Sequence, residues 1–553
     1  MIHSPRVPGM RSALAMLVVS AALQFACFAR WPGNPERDVY HSIFAAENFV
    51  LHGQLKSINP LADYGDDLAQ STRPRWMMHW PPGHSLLYVA VMSLRLSAGP
   101  GTKLLGLLCV VAGGVGWIYL ARGLGASGSC IAALAAAYPW LPFQGNLYIN
   151  YSNEHPALAL IPWICFALLQ IEPLNESSRE RWDRLLIAAF LAGAAVLVKY
   201  SLAPVLFAAV LYLLWLDGAV LDRRRVLRVG AFSGFLVLTG LVPWLISRAY
   251  GERYPLPRRA GRVLSLPEYV SNILSNSVSG PSGWDRILMH VNLVLDKKFH
   301  VQLPLAPILF ISSLALLAIW CLHFKRFPWR AREKSFGVLL LLLTVTLWMM
   351  LGLMTNLVGM QWDFTANGRL YIPITLLWLL SCGVSLGKME RKDLLRSTAF
   401  YTLAAPFAVT AAFYAATGLI GRPYERMPNS GLAWTTSDDI NHASFLSNLA
   451  AERGRKPNLL IAEPRDMAEL GVPYLYLEKA VQNSRSYWSS VNMEVWAIIE
   501  PAKEKALLAN FRRASSIERI KVPARFPFVF YIFRFNAEGN AQCDDAGDSQ
   551  HIA

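Results

Sequence analysis

The feature that most constrains this chain is a series of apolar stretches in which charged side chains are almost absent. Most of them are long enough to cross the roughly 30 Å hydrocarbon core of a bilayer as helices. Hydrophobic residues make up 54% of the 553 positions, more than soluble multidomain proteins usually contain. We therefore expect membrane-spanning helices. The stretches are Ala13–Phe28, Leu104–Tyr119, Leu185–Val198, Phe232–Ile246, Leu305–Trp320, Gly337–Leu353 and Thr398–Leu419.

The formal net charge of +15 does not indicate a nucleic-acid-binding protein. Nucleic-acid binding requires basic residues that cluster on one soluble face. In this chain the arginines lie mainly between the hydrophobic segments. Membrane lipid, and not nucleic acid, is the partner that this arrangement predicts.

Lysine and arginine in the short loops predict which side of the membrane each loop occupies. The loops 179–184, 223–228, 325–334 and 388–396 are rich in these residues and are placed in the cytoplasm. The segments 141–155 and 359–369 and the turn at Lys199 carry at most one each and are placed outside. The alternation predicts about eleven crossings of the inner (plasma) membrane, with long external loops over 31–100 and 251–302.

This topology requires that the apolar run Leu86–Leu96 does not cross the membrane. Roughly eleven residues are too few to span the bilayer, so we expect a re-entrant or surface hairpin. A full crossing at this point would invert every later loop and would place the basic loops on the outer side.

The tail beyond residue 421 changes character and becomes more polar. Short β-like runs alternate with helical stretches, which predicts a small external α/β domain over 421–553 with a disordered end. The expected fold is an all-α polytopic membrane domain over 1–420 followed by this domain. The β-like runs are Leu459–Ala462, Trp496–Ile499 and Phe528–Phe535, and the helical stretches are His442–Arg453 and Pro501–Arg512.

The first external loop contains an aspartate, Asp38, at the predicted start of an amphipathic helix. The apolar residues Ile43, Ala46, Phe49 and Val50 share one helical face, and Gly53 is a natural C-terminal stop. An acid at a helix start is also explained by the helix dipole alone. The loop therefore leaves two interpretations of Asp38 open, a helix-start acid and a functional group.

Further motifs follow in order along the chain. Together with the spacing of Asp38, Tyr40, Ala46, Asn48 and Gly53, they resemble the C-type integral membrane glycosyltransferases. Within that superfamily, the resemblance is to the branch of protein O-mannosyltransferases and of bacterial transferases that decorate lipid A and its core. It covers residues 10–420. The motifs are His79-Trp80-Pro81-Pro82-Gly83, Asn153–Leu158, Val198-Lys199-Tyr200 with Pro204, Val242-Pro243-Trp244 and Gly368–Pro373.

The resemblance implies an outward-facing cavity that holds a polyprenyl-phosphate-linked sugar. By the same resemblance, Asp38 is the general base and Glu154 a second acidic residue. The leaving phosphate needs fixed positive charge, and Lys199 and Arg369, each the sole cationic residue of its short external turn, are the candidates to supply it. Interfacial anchoring by Lys199 and Arg369, and helix capping by Glu154, are the alternatives. The expected substrate-binding residues are Tyr40, His79, Trp80, His155 and Tyr371.

One motif departs from the pattern of the family. The Lys-Pro-Pro variant of the family appears here as Trp80-Pro81-Pro82, which removes one possible phosphate contact. A divalent metal is possible, since carboxylates and imidazoles bind such ions. No ligand spacing requires one, and a solvated polar loop explains the same residues, so no metal ligand is assigned. The candidate residues are Asp63, Asp66, Asp67, His79 and His84.

The sequence therefore predicts an enzyme that transfers one sugar from a polyprenyl-phosphate donor to a lipid, glycan or protein acceptor on the outer side. A transporter or flippase of lipid-linked glycans is the alternative from another class. Transporters usually carry ionisable or broken helices near the membrane midplane, whereas this chain concentrates its polar residues in external loops. A scaffold whose tail binds a partner would leave the Asp38 loop unexplained.

Overall fold

The structure of the protein is a computed structural model. It describes residues 9–28, 35, 37–57, 67–69, 75–76, 81–141, 151–173, 181–217, 223–242, 245, 264–282, 284–326, 331–356, 368–386, 401, 404–405, 407–413, 415–416, 437–462, 466, 470–482, 487–524 and 526–537.

Helices dominate the described part of the chain up to residue 416. In order they are α1 (Met10–Phe28), α2 (Arg37–His52), α3 (Pro82–Ser93), α4 (Ala98–Gly123), α5 (Gly128–Ala137), α6 (Glu154–Leu169), α7 (Trp182–Val198), α8 (Ala203–Leu216), α9 (Arg223–Leu236), α10 (Leu266–Ser282), α11 (Trp284–Phe299), α12 (Leu305–Arg326), α13 (Ala331–Asn356) and α14 (Ile372–Leu386). Two short strands, β1 (Lys56–Ser57) and β2 (Arg75–Trp76), pair antiparallel between α2 and α3.

Three helices within the described residues are both long and apolar enough to cross a membrane. They are α1, α4 and the part of α13 over Glu333–Leu353. Shorter apolar helices cover Glu154–Leu169, Tyr200–Leu216 and Ile372–Val384. The predicted all-α polytopic class is confirmed, while the number of crossings, about eleven, stays a prediction.

The run Leu86–Leu96, expected to be a re-entrant or surface hairpin, lies in helix α3 and in the short connection Leu94–Ser97 to α4, where Arg95 has a φ of 60°. At 1.5 Å per residue, a helix of 12 residues measures only about 18 Å. Helix α3 alone is therefore too short to cross the bilayer, and its re-entrant or surface placement stays a prediction.

The start of α3 lies against the end of α7. A Cβ atom added to Gly83 would come within 2.6 Å of the backbone oxygen of Leu197. Such a separation is closer than any carbon side chain tolerates, so the absence of a side chain at Gly83 permits this contact. The glycine thereby holds the Pro81-Pro82-Gly83 motif beside Lys199, which directly follows α7.

Helix α2 confirms the predicted amphipathic helix and its C-terminal stop. It ends at Gly53, whose φ is 67° and whose N–H donates to the Phe49 carbonyl at 2.8 Å. The four residues of the predicted apolar face differ in burial. Ile43 and Ala46 are buried, but Phe49 and Val50 are exposed. The reason is that the first half of α2 packs against protein, and the buried face begins at Val39.

The described residues 437–537, here named the C-terminal unit, contain a five-stranded mixed sheet in the order β4-β3-β5-β7-β6. Strands β4, β3 and β5 are parallel, whereas β7 runs antiparallel to β5 and β6. The elements are α15 (Ser437–Arg453), β3 (Leu459–Ile461), β4 (Tyr474–Leu475), α16 (Leu477–Gln482), β5 (Met493–Ile499), α17 (Glu504–Asn510), β6 (Ser516–Ile520) and β7 (Val529–Phe535).

This sheet is buried on both faces, which confirms the predicted α/β architecture. All seven residues of β5 are buried. Along β5, alternate residues join two different clusters: Trp496 packs with Leu446 of α15, and Val495 packs with Leu507 of α17. The predicted strands correspond to β3, β5 and β7. The two missed strands are β4, which has only two residues, and β6, which is largely exposed.

Stability should depend on pH through Glu47 of α2, because burial raises the pKa of its carboxyl from 4.5 to about 7 against an opposing effect of Lys456. Between these values the folded state holds a proton that the unfolded state has lost, so stability falls as the pH rises through this window. In the Glu47→Gln variant the side chain at this position is an amide, which carries no charge at any pH. The melting temperature of this variant in detergent should exceed that of the wild type above pH 7 and converge with it towards pH 4.5. An equal difference in melting temperature between variant and wild type at every pH would show that ionisation of Glu47 is not the cause.

The close approach at Gly83 predicts a cost for even one methyl group. Gly83→Ala should lower the free energy of unfolding by about 1–3 kcal/mol, because the added Cβ overlaps backbone that cannot move independently. The matched control is Gly230→Ala in α9, where a Cβ would meet no described protein atom within 4 Å. That variant should be neutral or more stable by up to about 1 kcal/mol. Thermal and denaturant unfolding of both variants tests the contact, and equal stability of the two would refute it.

Candidate functional site

The site begins where two helices start side by side. Pro35 and Tyr151 form a parallel β-bridge, although they lie far apart in the sequence. Helix α2 begins two residues after Pro35, and helix α6 begins three residues after Tyr151. The first turns that contain Asp38 and Glu154 are therefore neighbours. The N-terminus of each of these helices carries the positive end of its dipole.

Glu154 forms an ion pair with Lys199. The lysine Nζ donates to Oε1 of Glu154, which is buried at the start of α6. Lys199 is extended, with a φ of −154°, and ends α7. Since α6 and α7 pack against each other, the ion pair joins the start of one helix to the end of the next. The two predicted site residues thus come together in the structure.

A stack of three rings forms the wall behind this ion pair. The Tyr151 ring lies between His84 and His155, with centroid distances of 5.7 Å and 5.4 Å and interplanar angles of 24° and 14°. His84 Nε2 is 3.2 Å from the Tyr151 hydroxyl, and the Ser152 N–H donates to His155 Nδ1 at 3.0 Å. All four side chains are buried. The stack fixes the turn that places Glu154.

The Pro81-Pro82-Gly83 motif at the start of helix α3 also lies near Lys199. The first turn of this helix contacts the end of α7, so His84 lies within electrostatic reach of Lys199 and of His155. Sequence reasoning considered His84 only as a metal candidate and did not identify Tyr151 at all. The signal in the sequence for these two residues was their position next to predicted helix starts.

The remaining predicted residues are distributed as follows. Tyr40 is fully buried on α2, and Tyr371 is fully buried at the end of the turn Gly368–Tyr371, which packs against α10 and α14. Asp38 and Arg369 lie in a helix and a turn whose bounds are described, but their side chains are outside the described residues. His79 and Trp80 also lie outside them.

The metal candidates include two described residues, which have other partners. Asp67 accepts hydrogen bonds from the Ala69 N–H and from the Ser490 hydroxyl, both at 2.9 Å, and His84 belongs to the ring stack. Within the described residues, no group of three or more His, Cys, Asp or Glu side chains could hold a metal ion. Asp63, Asp66 and His79 lie outside them.

The opposite end of these helices is basic. Arg184 donates to the Gln170 carbonyl at 2.7 Å and to Glu172 at 3.1 Å. Arg228 donates to Asp217 and to the Glu172 carbonyl, each at 2.6 Å. These arginines gather the loops after α6 and α8 at the end of α6 that is remote from Glu154. The basic loops and the Glu154–Lys199 pair therefore occupy opposite ends of the bundle.

Comparison with known proteins gives a match over part of the sequence. Residues 79–246 match the family described as dolichyl-phosphate-mannose-protein mannosyltransferase. This segment extends from the His79 motif through α3 to α9 and includes Glu154 and Lys199. No curated protein matches the sequence.

A solved structure shows the same fold over nearly the whole chain. The crystal structure of ArnT from Cupriavidus metallidurans bound to undecaprenyl phosphate has 10% sequence identity and a TM-score of 0.53, with 94% of this chain and 98% of that chain covered. The apo state of the same protein has 12% identity, the same coverage and a TM-score of 0.45. The resemblance stated from the sequence is thereby confirmed, and this chain has the fold of the C-type integral membrane glycosyltransferases.

Proposed function

We propose that this protein transfers a sugar from a polyprenyl-phosphate-linked donor to an acceptor on the outer face of the membrane, with Asp38 as the general base. The observation that carries this proposal is the convergence of the first turn of α2, the start of α6 and the end of α7 at one place. Asp38 and Glu154 lie in the first turns of two of these helices, and Lys199 pairs with Glu154.

The chemistry follows from the needs of glycosyl transfer. The Asp38 carboxylate takes the proton of an acceptor hydroxyl while the hydroxyl oxygen attacks the anomeric carbon. The bond from that carbon to the phosphate oxygen breaks, and the polyprenyl phosphate leaves with the electron pair. Fixed positive charge stabilises the leaving phosphate, and Lys199 and Arg369 are the proposed source. Glu154 holds the Lys199 ammonium at the outer end of α7.

The comparisons support the class of donor. The matching family description names a dolichyl-phosphate sugar, and the ArnT crystal structure contains undecaprenyl phosphate. Both compounds are polyprenyl phosphates, which combine a long apolar tail with an anionic head. Tyr40, His79, Trp80, His155 and Tyr371 are the proposed substrate-binding residues. A lipid, a glycan or a protein remains open as the acceptor.

The outer location is supported by the charge distribution. The arginines that join the loops after α6 and α8 lie at the end of the bundle away from Glu154. Basic loops favour the cytoplasmic side. The inner membrane is the proposed location, with the site and the C-terminal unit on the outer side.

The enzyme proposal depends most on Asp38. Asp38→Asn keeps the size of the side chain but removes the proton acceptor, so sugar transfer should fall by roughly 10²- to 10⁴-fold. Stability should change by no more than about 1 kcal/mol, the usual contribution of an acid to the helix dipole. The measurement is transfer from a panel of labelled polyprenyl-phosphate hexoses and pentoses in membranes, with protein levels matched.

The matched control for this variant is Asp183→Asn. Asp183 also lies in the first turn of a helix, α7, and forms an exposed ion pair with Arg181. This substitution removes a helix-start acid at the other end of the bundle and should leave transfer intact. Near-normal transfer by Asp38→Asn would refute Asp38 as the base, and a slight loss of stability alone would favour the dipole interpretation.

The proposed topology places the C-terminal unit on the same side as Asp38. A reporter that is active only outside the cytoplasm should be active when it is fused after Ala553, because the predicted parity puts the tail outside. A reporter that is active only in the cytoplasm should be silent at the same position. The reverse pattern would show that the predicted parity is wrong.

A further inference from the structure

The helix that carries Asp38 packs against helix α3. Its buried residues Val39, Tyr40 and Ile43 belong to an apolar cluster that includes Tyr88 of α3 and extends to Trp496 of β5 and Phe530 of β7. The cluster thus contains residues of both the first loop and the C-terminal unit.

A buried polar contact lies within this apolar interface. The Tyr474 hydroxyl of β4 is 3.5 Å from Nε2 of His41 and donates to the Tyr476 hydroxyl at 3.4 Å. Whether the hydroxyl or the ring nitrogen donates in the His41 contact depends on the tautomer of the imidazole. All three side chains are buried. Buried polar groups require such partners, so the contact selects one orientation of α2 against the sheet.

A second connection joins the same loop to the C-terminal unit. Asp67 and Trp488 form a parallel bridge, in which the Leu68 N–H donates to the Trp488 carbonyl at 2.8 Å. The Ser490 hydroxyl donates to Asp67 at 2.9 Å. The first loop is thus attached to the sheet at two separate places, one on α2 and one after β1.

We propose that the C-terminal unit is part of the transfer site, because Tyr474 acts through His41 to hold α2, and with it Asp38, in the working position. The proposal rests on the function proposed above. His41 follows Asp38 by three residues and therefore lies on the same side of α2, one turn further on. A hydrogen bond at His41 consequently restrains rotation of the turn that carries Asp38. Tyr474 is a positioning residue and does not contact the reacting atoms.

The test measures transfer by the full-length protein with the labelled donor panel. Tyr474→Phe and His41→Leu should each lower kcat by about two- to tenfold, the equivalent of one neutral hydrogen bond, while KM for the donor stays unchanged. The double variant should lose no more than either single variant, because both remove the same contact. His41→Gln, which keeps an N–H donor, should recover most of the activity.

The control is Tyr531→Phe. Tyr531 lies on β7 of the same sheet, and its hydroxyl donates to Glu504 of α17 on the opposite face. Loss of this hydroxyl removes a tyrosine hydrogen bond without reaching α2, so kcat should match that of the wild type. A purely structural role of Tyr474 would lower the amount of folded protein in both tyrosine variants without changing kcat per folded molecule.

Amide hydrogen exchange of α2 provides a readout that does not depend on activity. Tyr474→Phe should accelerate exchange across residues 37–52, and Tyr531→Phe should not. Unchanged exchange in Tyr474→Phe overturns the proposal even if the wild type is active. Faster exchange with unchanged kcat overturns the positioning role in an active enzyme. If the wild type transfers no sugar from any donor in the panel, the proposed function fails, and faster exchange would still support the restraint of α2 by the sheet.

Discussion

The arrangement of the site depends on the ion pair between Glu154 and Lys199. A carboxylate and an ammonium that are largely removed from water attract each other more strongly than at an exposed surface, but each is costly to bury alone. Removal of either partner from a buried pair typically costs about 3–5 kcal/mol, so the two residues constrain each other. The pair fixes the C-terminal end of α7 against the start of α6. The Pro35–Tyr151 bridge then fixes the start of α2 beside them.

The sequence predicted the parts of the fold that follow from local patterns. The charge-free stretches identified α1, α4, α7, α12 and α13. Gly53 identified the end of α2, because a left-handed residue favours glycine. The strongly apolar strands β3, β5 and β7 were also evident. The two-residue β4 and the polar β6 were missed, because their strand conformation comes from pairing with neighbours and not from their own composition.

The candidate site was predicted less completely. Lys199 and Glu154 could be proposed from the family resemblance, but no local rule states that they pair, since 45 residues separate them. The Tyr151 stack and the Tyr474–His41 contact depend on tertiary packing between distant segments, which periodicity does not reveal. Phe49 and Val50 show the same limit. Their spacing fits the apolar face of α2, yet the protein covers only the half of the helix that begins at Val39.

The contacts of the first loop also determine when the site can form during synthesis. Asp67 bonds to Ser490, a residue 423 positions later, and His41 contacts a tyrosine 433 positions later. Long-range contacts of this kind form last, because the intervening chain must be made and inserted before they close. The helices up to α14 are therefore synthesised, and can enter the membrane, while α2 still lacks its contact with the C-terminal unit. A nascent chain would hold its apolar segments in place before α2 is joined to Tyr474, a contact that cannot form until β4 has been translated.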